Sequence, residues 1–274
     1  MQRRKVEVVV ISDVHLGTYG CHAAELIAYL KSIEPRLLIL NGDIIDGWQF
    51  SKRYFPNAHF EVIREILGLM AGNTRVIYIT GNHDEVLRNY SDITFGNLTL
   101  VDKFLLKIDD QKAWIFHGDV FDNTTKGSAK ILAKMGGKGY DLLILLNRSI
   151  NYLMQKIGKD KVSFSKKVKD SVKSAVKYIN SFENTITDLA IDNHFDYVIC
   201  GHIHQPCKKE FQHATGKTTY LNSGDWVENL TSLEYNAGIW SIFNYKESDL
   251  SASQQNEGKS KLVDIFFDVM ALSV

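Results

Sequence analysis

Residues 36–46 read R-L-L-I-L-N-G-D-I-I-D, an apolar run that ends in a glycine turn with two aspartates. The run Leu37–Leu40 predicts a buried strand, because a short apolar segment followed by glycine is typical of a parallel strand covered on both faces. Open parallel sheets bind their ligands beyond the carboxyl ends of their strands. The turn therefore places Asp43 and Asp46 where a ligand site is expected.

The N-terminal half alternates predicted strands and helices around this strand. Strands are predicted at Glu7–Ser12 and Arg75–Thr80, and helices at Ala23–Ile33 and Phe60–Met70. This alternation indicates βαβ units and a parallel sheet, which makes the fold class α/β. Further predicted elements are a hairpin of Leu98–Ile108 with Ala113–Phe116 around Asp109-Asp110, and strands at Tyr197–Cys200, Thr218–Leu221 and Gly238–Asn244.

The composition is that of an ordinary globular protein. The 274 residues are 45% hydrophobic and 23% charged with zero net charge, so nothing global indicates a nucleic-acid partner. Three irregularly spaced cysteines predict a reducing compartment rather than a disulfide framework. The basic opening of the chain is interpreted as the start of the first strand, and no apolar run reaches the ~18 residues of a spanning helix.

The composition changes at about Asn123. Between Lys126 and Lys177, 13 basic residues face three acidic ones, so this segment carries a net charge of about +10. Apolar residues recur at helical spacing in Leu142–Ile157 and in Val168–Ile179. The sequence therefore predicts a helical insertion at 123–191 within one domain whose core is formed by residues 1–122 and 192–274.

Polar side chains follow five of the predicted strands. They are Asp13 and His15; Asp43; Asn82, His83 and Asp84; His117; and His202 and His204. Residues i and i+2 of an extended segment face the same way, so Asp13 pairs with His15 and His202 with His204. Mixed imidazole and carboxylate ligands suit Mn, Fe, Zn or Co. Seven ligands drawn from this set are too many for one open site, but they match two metal ions about 3.5–4 Å apart that share one carboxylate.

A single histidine after a strand is more often structural, and D-x-H alone is common by chance. The prediction rests on the order D-x-H, G-D, G-N-H-D, H and G-H-x-H, which resembles the calcineurin-like metallophosphoesterases. In this sequence the motifs are Asp13-Val14-His15, Gly42-Asp43, Gly81-Asn82-His83-Asp84, His117 and Gly201-His202-Ile203-His204. The resemblance implies a four-layer α/β/β/α sandwich with the helical insertion as a cap.

The resemblance also implies roles for these residues. Asp43 would bridge two divalent ions, with manganese expected and iron, zinc or cobalt as alternatives. His83 would face the substrate phosphate as a catalytic residue, with Asp84 orienting and charging it. The implied ligands are Asp13, His15, Asp43 and His204 for the first ion, and Asp43, Asn82, His117 and His202 for the second.

Within this family the chain resembles the UDP-2,3-diacylglucosamine diphosphatases. The shared features are the turn at Gly42–Trp48, Arg88 shortly after G-N-H-D, the insertion before Gly201-His202 and the segment Asn222–Trp226. That branch has arginine at the position of His83. The resemblance implies cleavage of the substrate pyrophosphate to UMP and a lipid sugar 1-phosphate, a step of lipid A biosynthesis. The substrate-binding residues would be Trp48, Arg88, Asn222 and Asp225.

Other functions stay open at this level. A soluble phosphodiesterase or nucleotide phosphatase of the same family is the main alternative, and a scaffold protein that has lost turnover is the second. The insertion is compatible with a solvated lid or with a nucleic-acid surface, but aromatic residues interleave poorly with its lysines. We expect no nucleic-acid partner and a lipid-binding cap. The enzyme would then be cytoplasmic and peripheral on the anionic inner face of the cytoplasmic membrane.

Overall fold

Two β-sheets carry the core of the structure, a computed structural model that describes residues 3–48, 54–124 and 165–251. The strands of the first sheet are β1 (Arg4–Ile11), β2 (Ile33–Asn41), β3 (Arg75–Ile79), β4 (Ile93–Phe95), β5 (Leu98–Val101), β11 (Thr231–Asn236) and β12 (Ile239–Asn244). Those of the second are β6 (Lys103–Ile108), β7 (Gln111–Phe116), β8 (Tyr197–Cys200), β9 (Cys207–His213) and β10 (Gly216–Asn222). The strand orders are β12-β11-β1-β2-β3-β5-β4 and β6-β7-β8-β10-β9.

Helices precede and follow the strands of both sheets. The described helices are α1 (Ala23–Ser32), α2 (Asn57–Ala71) and α3 (Ser165–Asp192), with short 3₁₀ helices at Glu85–Tyr90, Asp119–Thr124 and Tyr245–Glu247. The described residues within 3–118 and 190–251 form one compact unit, and those within 119–189 form a second. Among the described residues, no helix is long and apolar enough to cross a membrane.

The central strands of the first sheet are covered on both faces. Strands β1, β2 and β3 are parallel neighbours. Val8 of β1 packs in a cluster with Ile115 of the second sheet, whereas Val9 packs with Leu26 of α1 and Val62 of α2. Successive side chains of a strand point to opposite faces, so a strand between a sheet and a helical layer must be apolar at every position.

The predicted α/β class is confirmed as an α/β sandwich, and the helices predicted at Ala23–Ile33 and Phe60–Met70 are present as α1 and α2. The turn at Asp109-Asp110 is confirmed too: both residues have positive φ, 46° and 62°, as the favoured two-residue hairpin turns require. Sequence analysis missed β4, β9 and β11, which are short or rich in polar residues.

The predicted continuous strand Leu98–Ile108 is wrong. Its first part, β5, pairs in the first sheet, and its second part, β6, pairs in the second sheet. The chain changes sheets at Asp102, whose carboxylate accepts a hydrogen bond from Thr80 Oγ1 at 2.7 Å. An apolar run does not reveal this exchange, because both parts are half-buried strands of the same hydrophobic character.

The predicted insertion falls in the chain segment of the second unit. The apolar stripe Val168–Ile179 lies within α3. The predicted helix Leu142–Ile157 lies outside the described residues, as does most of the basic segment. The boundaries at 123 and 191 stay a prediction.

We expect the core between the two sheets to dominate stability. Ile39 of β2 is fully buried there, so Ile39→Ala should lower the free energy of unfolding by about 2–5 kcal/mol through lost burial and a cavity. Leu105→Ala, at a strand position that is 60% exposed, is the matched control and should cost about 0.5 kcal/mol. Urea unfolding measures both, and equal losses would contradict the assignment of the core.

Candidate functional site

The structure brings six of the seven predicted metal ligands together, all but Asn82, at the carboxyl ends of strands from both sheets. Strands β1, β2 and β3 of the first sheet and β7 and β8 of the second lead into them. Among the described residues there are three groups of side chains in which every ligand atom lies within 4.8 Å of the other ligand atoms of the same group. The groups are Asp13, His15 and His204; His15, Asp43 and His83; and Asp43, His117 and His202.

Asp43 belongs to two of the groups and lies between them. Its Oδ2 is 3.2 Å from His117 Nε2 and 4.0 Å from His15 Nε2. Its Oδ1 accepts a hydrogen bond from the His83 backbone N–H at 2.8 Å, and the residue is 2% exposed. One buried carboxylate between two sets of imidazoles is the arrangement that a bridging ligand requires.

Buried polar atoms at the site fit divalent cations. His15 Nε2 and Asn82 Oδ1 are buried and have no hydrogen-bond partner among the described residues. Such atoms are costly in a folded protein unless a partner or an ion satisfies them. His117 Nδ1 lies 2.9 Å from the Asn41 carbonyl oxygen, so Nδ1–H donates to that carbonyl and Nε2 faces Asp43. The donor set therefore fits a dinuclear centre.

Five of the predicted ligands have backbone conformations that residues other than glycine rarely adopt. The φ angles are 52° for Asp13, 53° for His15, 54° for Asp43, 64° for His202 and 53° for His204. Left-handed φ values are uncommon for side chains with a Cβ and persist only where surrounding contacts enforce them. Their concentration at one site indicates that the loops are shaped to present ligands.

The glycines of the motifs make room for the carboxylates. A Cβ on Gly81 would overlap the Asp43 carboxylate, and a Cβ on Gly201 would lie 2.6 Å from Asp13 Oδ2. Neither contact can be relieved cheaply, because both carboxylates are buried. The glycines are therefore required by close approach between loops.

The buried carboxylates are held in their charged form. Burial opposes the charge of Asp13, but His204 and His117 outweigh it and lower the pKa of Asp13 to about 2. Burial lowers the pKa of His204, but Asp13, 3.1 Å from its Nε2, outweighs this and raises the pKa to about 9. Burial also opposes ionisation of Asp43, yet His117 and His15 lower its pKa. Both carboxylates are therefore ionised at neutral pH and suited to bind cations.

Asp46 is the residue whose role sequence analysis missed. Its Oδ2 lies 2.9 Å from His83 Nδ1 and 3.1 Å from His15 Nδ1, and its Oδ1 accepts from the Trp48 N–H at 3.0 Å. Burial lowers the pKa of His83, but Asp46 and Asp43 outweigh it and raise the pKa. The signal available in the sequence was the D-x-x-D spacing of the turn.

Trp48 covers His83, as expected for a residue beside the substrate. The two rings are 4.3 Å apart, and the indole is 53% exposed. The Gly47 N–H donates to the His83 carbonyl at 2.8 Å, which holds this turn against the G-N-H-D motif. The side chain thus lies at the surface next to the site, and its contact with substrate stays a prediction.

The expectation that Asp84 orients His83 is corrected by the structure. Asp84 is 2% exposed, and its oxygens accept from the Gly81 N–H at 2.6 Å and the Ile44 N–H at 3.0 Å. Asp84 therefore joins the G-N-H-D turn to the turn of Asp43. The carboxylate beside His83 Nδ1 belongs to Asp46, which lies on that second turn.

The substrate-binding assignment of Asn222 and Asp225 is also corrected, since neither side chain is exposed. Asn222 donates to the Gly201 carbonyl at 2.8 Å and accepts from the Gly224 N–H at 2.9 Å. Asp225 accepts from successive backbone N–H groups of its own turn, and its Oδ2 lies 3.9 Å from His204 Nδ1. Both residues support the loop of the last histidines.

Arg88 lies on the 3₁₀ helix that follows the G-N-H-D motif. Its Nε donates to Thr80 Oγ1 at 3.3 Å and lies 3.8 Å from Asp102 Oδ1. These contacts anchor the stem of the side chain at the point where β3 ends. A role for Arg88 in binding substrate stays a prediction.

A known protein family contains the same motifs. The family model described as Calcineurin-like phosphoesterase matches residues 6–206, which include all five motifs. A UDP-2,3-diacylglucosamine hydrolase of Blochmanniella pennsylvanica is 25% identical over 211 residues, 73% of this chain and 80% of that protein. The enzyme of the same name from Aliivibrio fischeri is 25% identical over 86% of this chain and 97% of its own. The solved structure of a phosphoesterase from E. coli covers 88% of this chain and 93% of its own, with a TM-score of 0.43 and 13% identity.

Removal of the shared carboxylate should disrupt both metal positions. We expect Asp43→Ala to lower the bound metal from two ions per chain to one or fewer after dialysis, because Asp43 belongs to two ligand groups. Asp110→Ala, which removes a fully exposed carboxylate of a hairpin turn, is the control and should keep wild-type metal content. Elemental analysis gives the stoichiometry, and two tightly bound ions in Asp43→Ala would refute the bridging role.

Proposed function

The chain belongs to the calcineurin-like phosphoesterase family, and on that premise we propose that it cleaves the pyrophosphate of UDP-2,3-diacylglucosamine to UMP and a lipid sugar 1-phosphate. The family makes it a hydrolase that uses divalent metal ions. The observation that carries the proposal is the buried carboxylate of Asp43, which belongs to one group with His15 and His83 and to another with His117 and His202. His15 Nε2 and Asn82 Oδ1 are also buried and lack hydrogen-bond partners among the described residues.

We assign the ligand side chains to two sets that share Asp43. Two divalent ions held there would polarise the phosphoryl group and lower the pKa of water toward neutrality, with manganese as the ion we expect. Asn82 contributes a neutral oxygen, so the second set carries less negative charge than it would with a carboxylate at that position. The sets are Asp13, His15, Asp43 and His204, and Asp43, Asn82, His117 and His202.

His83 is the residue of this chain that we assign to the leaving group. Asp46 occupies its Nδ1 side at 2.9 Å, so Nε2 is the nitrogen available to substrate. The raised pKa of His83 favours the imidazolium, which can donate a proton to the departing oxygen or stabilise its negative charge. The Trp48 ring packs against the imidazole ring, with centroids 4.3 Å apart.

The choice of substrate is supported by relatives and by the sequence. Two UDP-2,3-diacylglucosamine hydrolases match this chain over 73% and 86% of its length at 25% identity. The sequence also predicts an insertion at 123–191, in which a segment with a broad apolar face precedes a strongly basic one. Such a segment could bury acyl chains and contact anionic lipid head groups, which would hold the enzyme at the inner face of the cytoplasmic membrane.

A series of UDP-sugar substrates tests this assignment. We expect UMP release from UDP-2,3-diacylglucosamine, with kcat/KM rising about fourfold for each added methylene that is buried, since one methylene contributes about 0.8 kcal/mol. UDP-N-acetylglucosamine is the matched substrate without fatty acyl chains. Turnover that is independent of acyl length, or confined to a generic phosphodiester, would favour a soluble phosphodiesterase of the same family.

Substitution of His83 should separate turnover from metal binding. We expect His83→Ala to retain two metal ions and to lower kcat by about 10²–10⁴, the usual effect of removing one acid or electrostatic donor. Metal content and steady-state kinetics are measured on the same preparation. If His83→Ala lost as much metal as Asp43→Ala, His83 would instead be a metal ligand. The test is needed because the ligand atoms of His83 lie in one group with those of His15 and Asp43.

A further inference from the structure

The loop that carries Asp13 and His15 is held against the loop that carries Asp43 by backbone hydrogen bonds. Four successive N–H groups of the first loop donate to carbonyl groups of the second. The pairs, at 2.9–3.1 Å, are Asp13 to Gly42, Val14 and His15 to Asp43, and Leu16 to Ile44. These bonds extend the β1–β2 pairing beyond the strands and fix the spacing of the two loops.

The next N–H group in the series leaves this pattern. Gly17 has a φ of 103°, a conformation that favours glycine, and its N–H donates to Nδ1 of His59 at 2.9 Å. His59 is 2% exposed and comes from the first turn of α2. A side chain from a distant helix thus completes the hydrogen bonding of the ligand loop two residues after His15.

The surroundings of His59 suit a fixed, neutral acceptor. The rings of Tyr54 and Phe55 meet it edge-on, with centroids 6.0 and 5.3 Å away. Burial lowers the pKa of His59, which favours the uncharged ring. Because Nδ1 accepts from Gly17, the proton of the neutral ring must reside on Nε2. The imidazole therefore acts here as a hydrogen-bond acceptor of defined direction.

We propose that His59 is a positioning residue for the metal centre: His59 holds Gly17 by a hydrogen bond and thereby sets the position of His15. Gly17 is buried, so without the His59 acceptor its N–H would have no replacement from water and the loop would have to shift to satisfy it. Leu16 and His15 precede Gly17 directly, and His15 already has a left-handed backbone. Their displacement would misplace a ligand of the ion that His15, Asp13 and His204 would hold.

Three variants at position 59 and a titration with Mn²⁺ test this role. Asparagine can place its side-chain oxygen near the position of Nδ1, whereas the oxygen of glutamine lies one methylene farther along and leucine offers no acceptor. We expect His59→Leu and His59→Gln to weaken one of the two Mn²⁺-binding steps by about tenfold, as for other residues that orient metal ligands. His59→Asn should stay within about threefold of wild type by the same measure.

Thr74→Val is the matched control for lost stability. Thr74 Oγ1 donates a buried hydrogen bond to the Pro35 carbonyl at 2.7 Å, at the opposite end of the first sheet. Its removal should lower stability and leave both Mn²⁺ affinities unchanged. Isothermal titration calorimetry gives the affinities, and circular dichroism confirms the fold of each variant.

Several outcomes would overturn the proposal. The first is wild-type Mn²⁺ affinity in His59→Leu, and the second is a loss of Mn²⁺ affinity in Thr74→Val as large as that in His59→Leu. The others are equal losses of Mn²⁺ affinity in His59→Asn and His59→Gln, and wild-type protein that binds no Mn²⁺. If His59→Leu fails to fold, the comparison of asparagine with glutamine carries the test. The titration needs no substrate, so failure of the proposed substrate would leave this result intact, and the reverse also holds.

Discussion

The structure depends on keeping negative charge buried between two β-sheets. Asp13 and Asp43 are almost fully buried, and burial alone would favour their neutral forms. Imidazoles from the other sheet, His117 and His204, lie within about 3.2 Å of them and reverse that preference. The two sheets are therefore coupled at this edge. The first sheet supplies the buried carboxylates, and the second supplies the imidazoles that offset their negative charge.

This constraint explains the local backbone of the motifs. Ligand side chains from different loops can converge only if the loops approach more closely than ordinary strands do. Gly81 allows that approach by lacking a Cβ where the Asp43 carboxylate lies, and Asp43 itself takes a left-handed φ. The backbone hydrogen bonds from Val14 and His15 to the Asp43 carbonyl then stabilise conformations that would be strained in isolation.

Several acidic and amide residues of the motifs support the loops rather than the chemistry. Asp84 accepts hydrogen bonds from two backbone N–H groups. Asn222 donates to the Gly201 carbonyl just before the last histidines, and Asp225 accepts from backbone N–H groups of its own turn. Asp46 differs from these, since its carboxylate contacts imidazole nitrogens directly. A site with many strained ligands needs such supports, because ligand positions within a fraction of an ångström decide metal binding.

The sequence by itself determined the α/β class, the strands that carry the site and the family, because apolar runs that end in glycine and a ligand residue mark the carboxyl ends of strands. Only the tertiary structure decided which side chains meet there. It pairs His83 with Asp46 rather than with the adjacent Asp84, buries Asn222, and moves the chain between sheets at Asp102. Local patterns cannot show this, because such contacts depend on strand register and on left-handed turns that bring residues distant in sequence into hydrogen-bonding range.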